Sequence, residues 1–197
     1  MKRKSTQNVL LRAAREGGFF TRLSFLVMGA GCIRCRQYAR GLLYLLTQIG
    51  FFFFFRDFAL QYLRKFGTLG TETQRKVWNE TLQIYQRFPG DNSMLILLYS
   101  VLSLAVAALF LYLWYANIRD AWNGQKCLAQ GKPVSSLRND LHSLTHERFH
   151  VTLLSMPMLT LVLFTLLPIL FMILIAFTNF DADHQPPGNL FTWVGLT

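Results

Sequence analysis

The chain has 197 residues, 52% of them hydrophobic and only 15% charged, with a formal net charge of +10. That balance excludes an ordinary water-soluble domain, in which about 25% of residues are charged. Three cysteines are too few for a disulfide scaffold.

Residues 1–18 are basic and polar and end in Gly17-Gly18. From there Phe19, Phe20, Leu23, Leu26 and Val27 share one helical face, with Thr21 and Ser24 opposite. The face is too short to span a bilayer, so the expectation is an interfacial amphipathic helix. Gly29 and Gly31 permit a tight turn before the first span. Gly29–Cys32 has the look of a lipoprotein cleavage box, but the apolar stretch before it, Phe25 to Met28, is too short for a signal sequence. Cys32 and Cys35 form a C-x-x-C flanked by Arg34 and Arg36, which can lower a thiol pKa. No second pair follows and no βαβ pattern surrounds it, so two reduced, incidental thiols are expected.

Three uncharged runs follow: Gly41–Phe55, fifteen residues; Asn92–Ile118, twenty-seven; and Val151–Phe180, thirty. A charge at the bilayer centre costs about 2.5–3.5 kcal/mol on insertion scales, so the charges delimit three transmembrane helices. The first run is short, which requires Arg40 or Arg56 to snorkel. Within it, Phe51–Phe55 point all round a helix and read as lipid-facing and inter-helix filler. Between the first two spans, residues 56–91 carry Gly67, Gly70, Pro89 and Gly90 as breakers and are expected to be a loop with a short helix around Thr73–Phe88. Tyr112, Trp114 and Tyr115 close the second span as an aromatic belt. In 119–150, Ser135 or Ser136 caps an amphipathic helix bearing Val134, Leu137, Leu141 and Leu144 on one face. Pro157 and Pro168 bend the third span.

Nine of the twenty Lys/Arg lie in residues 1–40 against one acid, Glu16; six lie in 56–91, five in 119–150 and none in 181–197. Under the positive-inside rule the N-terminus is cytoplasmic and the tail external. The basic N-terminus then calls for anionic membrane lipid as its partner, not nucleic acid. The expected fold is all-α, an integral membrane protein of three transmembrane helices with interfacial amphipathic helices. Its segments are a cytoplasmic basic N-terminus (1–40), a two-helix hairpin (41–118) with external loop 56–91, a cytoplasmic loop (119–150), and a third helix with external tail (151–197).

His146-Glu147-Arg148-Phe149-His150 matches H-E-x-x-H, the zinc-protease signature. On a helix His146 and His150 share a face, and Glu147 can activate a zinc-bound water. A catalytic zinc needs a third ligand, however. The only later acids, Asp181 and Asp183, fall across the membrane, and His142 is too close on the same helix for tetrahedral geometry. The expectation is no bound metal, with a membrane metalloprotease as the alternative reading. No nucleophile triad, Walker loop or dinucleotide fingerprint is present, so no catalytic residue or cofactor is assigned.

The string from Glu147 to Phe180, with a mid-helix Pro, then Ala-Phe-Thr-Asn-Phe, a Pro-Pro-Gly linker and Trp-Val-Gly-Leu, resembles the first core helix of sugar ABC-transporter permeases. The resemblance is to the larger membrane subunit of maltose/maltodextrin importers. The run Met28–Gly41 is similar to a Gly-x-Gly…Tyr…Lys/Arg-Gly pattern near the N-terminus of Gram-positive members. The resemblance implies a bacterial cell-membrane subunit importing maltodextrin-like oligosaccharides. Its implied partners are a second permease, ATPase subunits and an extracellular sugar-binding protein. It also implies that substrate-binding and ATPase-docking residues lie beyond residue 197, the chain being an N-terminal portion. A truncated, non-catalytic small membrane protein is the third reading.

Overall fold

Among the described residues three helical stretches are long and apolar enough to cross a membrane: Tyr38–Lys65, Ser93–Ala129 and Leu153–Ile175. They belong to a computed structural model that describes residues 9–131, 149–186 and 188–195. In chain order the elements are α1 (Val9–Glu16), α2 (Phe19–Leu23), α3 (Ala30–Arg34) and α4 (Tyr38–Phe54), which continues through a π-helical turn (Phe55–Ala59) into α5 (Leu60–Lys65). A hairpin of β1 (Arg75–Asn79) and β2 (Ile84–Phe88) comes next, followed by α6 (Ser93–Ala129). The third stretch comprises α7 (Phe149–Leu161), a π-helical turn (Val162–Leu166) and α8 (Leu167–Ile175).

The first two helices outrun the uncharged stretches that announced them. The first continues ten residues past Phe55 to Lys65, giving 28 residues in all, about 42 Å at 1.5 Å per residue. This exceeds the ~30 Å hydrocarbon core, so Arg56 and Asp57 ride on the exposed surface of a helix instead of ending it. Likewise α6 passes Ile118, Arg119 and Asp120 and ends at Ala129. In the third stretch the π turn immediately precedes Pro168. That proline lacks an N–H and its ring crowds the carbonyl of Phe164, and a widened turn relieves both defects.

The short helix expected around Thr73–Phe88 is instead the antiparallel β1–β2 hairpin, paired from Arg75–Phe88 to Asn79–Ile84. Val77, Trp78, Ile84, Tyr85 and Phe88 are β-branched or aromatic, and β preference prevails over the helical reading. The Asn79 side chain accepts the N–H groups of Thr81 and Leu82, and Gln83 takes a φ of 47°, which together close the four-residue loop. Among the described residues the fold is thus mostly helical with one small sheet. The amphipathic helix expected after Gly131 lies outside the described residues.

The chain divides into two units, Met1–Phe53 with Val106–Met156, and Phe54–Ala105 with Pro157–Thr197. In the first, Ala13, Ile118 and Trp122 are buried beneath Val9, Leu10, Phe25 and Trp114. In the second, the core is Leu69, Ile96, Leu97 and Phe191, flanked by Tyr62, Phe66, Phe171, Leu174, Ile175 and Trp193. The phenylalanine run behaves as filler: Phe51 stacks on Phe110 at 3.8 Å between centroids, while Phe52 and Phe53 are exposed.

Candidate functional site

In the first unit the segment from Gly18 to Arg36, the N-terminal arm, is seated on α4 and α6 by polar side chains. Its amphipathicity is turned inside out for a water-soluble protein. Thr21 and Ser24 are buried, whereas Phe19, Phe20, Leu26 and Val27 are exposed. The burial is made affordable by hydrogen bonds, as any buried polar group requires. Thr21 Oγ1 and the Gly18 N–H both donate to Gln125 Oε1, at 2.6 and 2.9 Å. Asn117, fully buried, accepts the Gly29 N–H at 2.8 Å and donates to the Ser24 carbonyl at 3.0 Å. Ser24 Oγ accepts the Gly31 N–H at 2.7 Å. Trp114 Nε1 donates to the Phe25 carbonyl at 3.0 Å, so this ring is turned into the seat and is more than part of an aromatic belt. From α4, Gln48 accepts the Met28 N–H and donates to the Leu26 carbonyl.

Below this seat lies the one acid that α6 presents to α4. Asp120 Oδ2 accepts the Tyr44 hydroxyl at 3.0 Å and faces Arg40 Nη1 at 3.7 Å. Trp114, Asn117, Ala121 and Gln125 recur at intervals of three and four, one stripe of α6, so a single face supplies every contact that α6 makes to the arm described above. The glycines of the Met28–Gly41 pattern meet one another on this face. Gly29 has a φ of 90°, and a Cβ there would collide with the carbonyl oxygen of Gly41. A Cβ at Gly31 would lie 2.5 Å from that of Ala121.

Both thiols within the arm, Cys32 and Cys35, are buried. Burial pushes Cys32 up to about 12, with the Asp120 carboxylate adding to the rise and Arg40 opposing it. Cys35 is also raised by burial, which outweighs the neighbouring Arg34. A redox thiolate needs the opposite shift.

In the second unit Asp91 ties the base of the hairpin. Its carboxylate accepts from Lys65 Nζ and from the N–H groups of Thr71 and Glu72, at 3.0 and 3.4 Å for the two amides. Burial alone would raise its pKa, but the Lys65 and amide hydrogen bonds together outweigh burial and hold the carboxyl below its ordinary value of 3.8. A lowered folded pKa means stabilisation that is complete above the ordinary carboxylate range and disappears as pH falls through the folded value. Asp91→Asn is therefore expected to loosen the hairpin base by about 1–2 kcal/mol at neutral pH and to abolish its acid sensitivity. Amide exchange at Thr71 and Glu72, corrected for intrinsic rates, checks this; equal protection in both proteins at pH 7 contradicts it.

The tail also folds. Asn179 N–H donates to the Thr192 carbonyl at 3.1 Å, and Thr192 N–H returns to Asn179 Oδ1 at 2.6 Å. Val194 N–H donates to the Phe177 carbonyl, and Trp193 Nε1 donates to the Phe66 carbonyl at 2.8 Å. Phe191 is fully buried and meets Phe180 edge to face. Phe177, Asn179, Phe180, Trp193 and Val194 of the Ala-Phe-Thr-Asn-Phe and Trp-Val-Gly motifs thus return the chain onto itself. Asp181 is exposed, and its hydrogen bond to His184 holds it below the usual carboxylate range.

Of the H-E-x-x-H motif, His146 and Glu147 lie outside the described residues, and His150 falls within α7. Among the described residues no group of three His, Cys, Asp or Glu is placed to hold a metal ion. Reading by uncharged runs stops at Ile118 and so leaves out Asp120 and Gln125, while Asn117, inside the run, carries no charge to mark it. Their spacing with Trp114 was the available signal.

No protein-family model matches the chain, and no solved structure gives a significant match. Curated proteins do match. The chain is 29% identical over 171 residues to the galactooligosaccharides transport system permease protein GanP of Bacillus subtilis (strain 168), covering 87% of this chain and 37% of that protein. It is 30% identical over 173 residues to the maltodextrin transport system permease protein MalC of Streptococcus pneumoniae serotype 4, covering 87% and 36%. With the maltodextrin transport system permease protein MdxF of Bacillus subtilis (strain 168) it shares 27% over 191 residues, 96% and 39%. The chain thus spans a little over a third of the length of the curated relatives it matches. Over most of its own length it is a multi-pass membrane protein homologous to the permease proteins of sugar transport systems.

Proposed function

We propose that the chain forms the membrane-insertion portion of a permease subunit of a binding-protein-dependent ABC importer for maltodextrin-like oligosaccharides. One observation carries this reading: the match to sugar permease proteins runs through 87–96% of the chain. In this reading residues 1–40 and 119–150 face the cytoplasm of a bacterial cell and 56–91 and 181–197 face outward, as the charge distribution favours. The arm, with Phe19, Phe20 and Leu26 exposed, lies in the cytoplasmic interface and fixes α4 against α6. ATP hydrolysis and sugar capture fall to partners: ATPase subunits, a second permease and an extracellular sugar-binding protein. The subunit itself carries out no bond-making chemistry, and its transport motion is a rocking of helices about a central site.

The relatives carrying the match are named as permeases, which favours transport over the protease alternative. Cells from which the encoding gene is deleted are expected to lose uptake of labelled maltodextrin and to regain it when the gene is restored. Unchanged uptake of malto- and galacto-oligosaccharides in the deletion strain contradicts the proposal.

A further inference from the structure

The β1–β2 hairpin has two unlike faces. Lys76 is directly opposite Arg87, and Trp78 directly opposite Tyr85, so these four side chains share one face. Like charges placed opposite each other destabilise a sheet. Among the described residues neither cation is paired with an acid. Trp78 and Tyr85 meet edge to face at 4.9 Å and remain 48% and 69% exposed. Apart from half-buried Asn79, every residue of the two strands is exposed, and a two-stranded hairpin by itself is marginal in water. Its sequence therefore leaves a charge repulsion and an aromatic pair waiting for an external surface.

The hairpin's position names that surface. Phe88 is five residues from Ser93, where an apolar helix able to cross a membrane begins, a separation of at most about 17 Å. The base is pinned there: Asp91 N–H donates to the Glu72 carbonyl at 2.7 Å, and a Cβ on Gly90 would lie 2.5 Å from the Gln74 nitrogen and the Glu72 oxygen. Trp and Tyr beside Lys and Arg is the composition of a membrane–water interface.

We propose that the hairpin is a phospholipid-docking element. Lys76 and Arg87 together take one anionic headgroup phosphate, and Trp78 and Tyr85 enter the boundary between headgroups and acyl chains. The phosphate relieves the repulsion between the cations, and the rings leave water without losing their polar tips. The inference rests on membrane insertion but adds a site to it.

The test compares tryptophan emission of the wild type and Trp78→Phe in nanodiscs of phosphatidylglycerol or of phosphatidylcholine. The difference between the two proteins isolates Trp78, and the emission that remains reports the other three tryptophans. Lipids brominated near the headgroup are expected to quench the remaining emission through Trp114, which closes the second span at the membrane–water interface, an independent reading of span insertion. Lipids brominated near the headgroup are expected to quench the Trp78 component at least twofold, more strongly in phosphatidylglycerol. Lys76→Gln with Arg87→Gln is expected to remove that lipid preference while the remaining emission is unchanged. A Trp78 component that is unquenched by headgroup-proximal bromine while the remaining emission is quenched overturns the docking proposal and leaves insertion intact. So does a component that shifts only when the extracellular sugar-binding protein is added, which makes that protein the occupant.

Discussion

Gly29→Ala is expected to detach the N-terminal arm, whereas Gly50→Ala should leave the molecule intact. Gly29 sits at a φ of 90°, where any side chain costs about 1–2 kcal/mol. Its new methyl would also run into the Gly41 carbonyl, adding about 1–3 kcal/mol of overpacking that backbone atoms cannot yield to. The sum, about 2–5 kcal/mol, is comparable to the gain from the hydrogen bonds that Asn117 makes to Gly29 and Ser24. Once the arm shifts, those buried groups lose their partners together, so the loss is cooperative. Gly50 has open space around its missing Cβ, and alanine there gains up to about 1 kcal/mol of helix propensity. Limited proteolysis in detergent reads the difference: the arm of Gly29→Ala is cut at Arg22, Arg34 or Arg36 at least tenfold faster. Equal cleavage of the two variants contradicts the seat described for the arm.

The second large effect is expected at Phe191. This ring is fully buried in a core it shares with Leu69, Ile96 and Leu97, drawn from three separate stretches of chain. Truncation to alanine removes its burial and leaves a cavity, at a cost of about 3–5 kcal/mol. Against that loss the neighbouring turn keeps the Asn179–Thr192 hydrogen bonds, those of Val194 and Gly195 to the Phe177 carbonyl, and the Trp193 contact with Phe66. The 177–194 tail should therefore come away from its helices. Val194→Ala, at a side chain that is 47% exposed, serves as control. Hydrogen exchange at Asn179 and Val194 is expected to rise at least a hundredfold in Phe191→Ala and to stay near wild type in Val194→Ala. Unchanged protection in Phe191→Ala contradicts a packed tail.

The residues that were legible in the sequence are those whose physics is one-dimensional. Uncharged length alone identified the three helices, because lipid tolerates no charge and a helix rises by a fixed amount. The ends were less legible. Arg56 and Asp57 are carried on the first helix and Arg119 and Asp120 on α6, since a helix that has left the hydrocarbon accepts charge without ending. The hairpin was hidden for a different reason: breakers and mixed charge suited either structure, and β-branched and aromatic residues decided it. The seat of the arm was least legible. Gly29, Gly41, Asn117 and Gln125 are distant in sequence, and no periodicity within one segment joins them. The resemblance of Met28–Gly41 to a family pattern singled out the glycines without giving their cause, which is backbone contact between the arm and α4. The Phe-Thr-Asn-Phe and Trp-Val-Gly motifs were likewise visible as words before Phe191 and Trp193 supplied their packing.

A membrane crossed three times with the N-terminus in the cytoplasm underlies the permease reading, and accessibility of single cysteines tests it directly. Cysteine placed at Thr71, Ser136 or Asn189 in intact cells is to be treated with a membrane-impermeant maleimide. Labelling of positions 71 and 189, with 136 labelled only after the cells are opened, is the expected result. Labelling of position 136 from outside, with 71 and 189 protected, contradicts the topology and the importer orientation built on it.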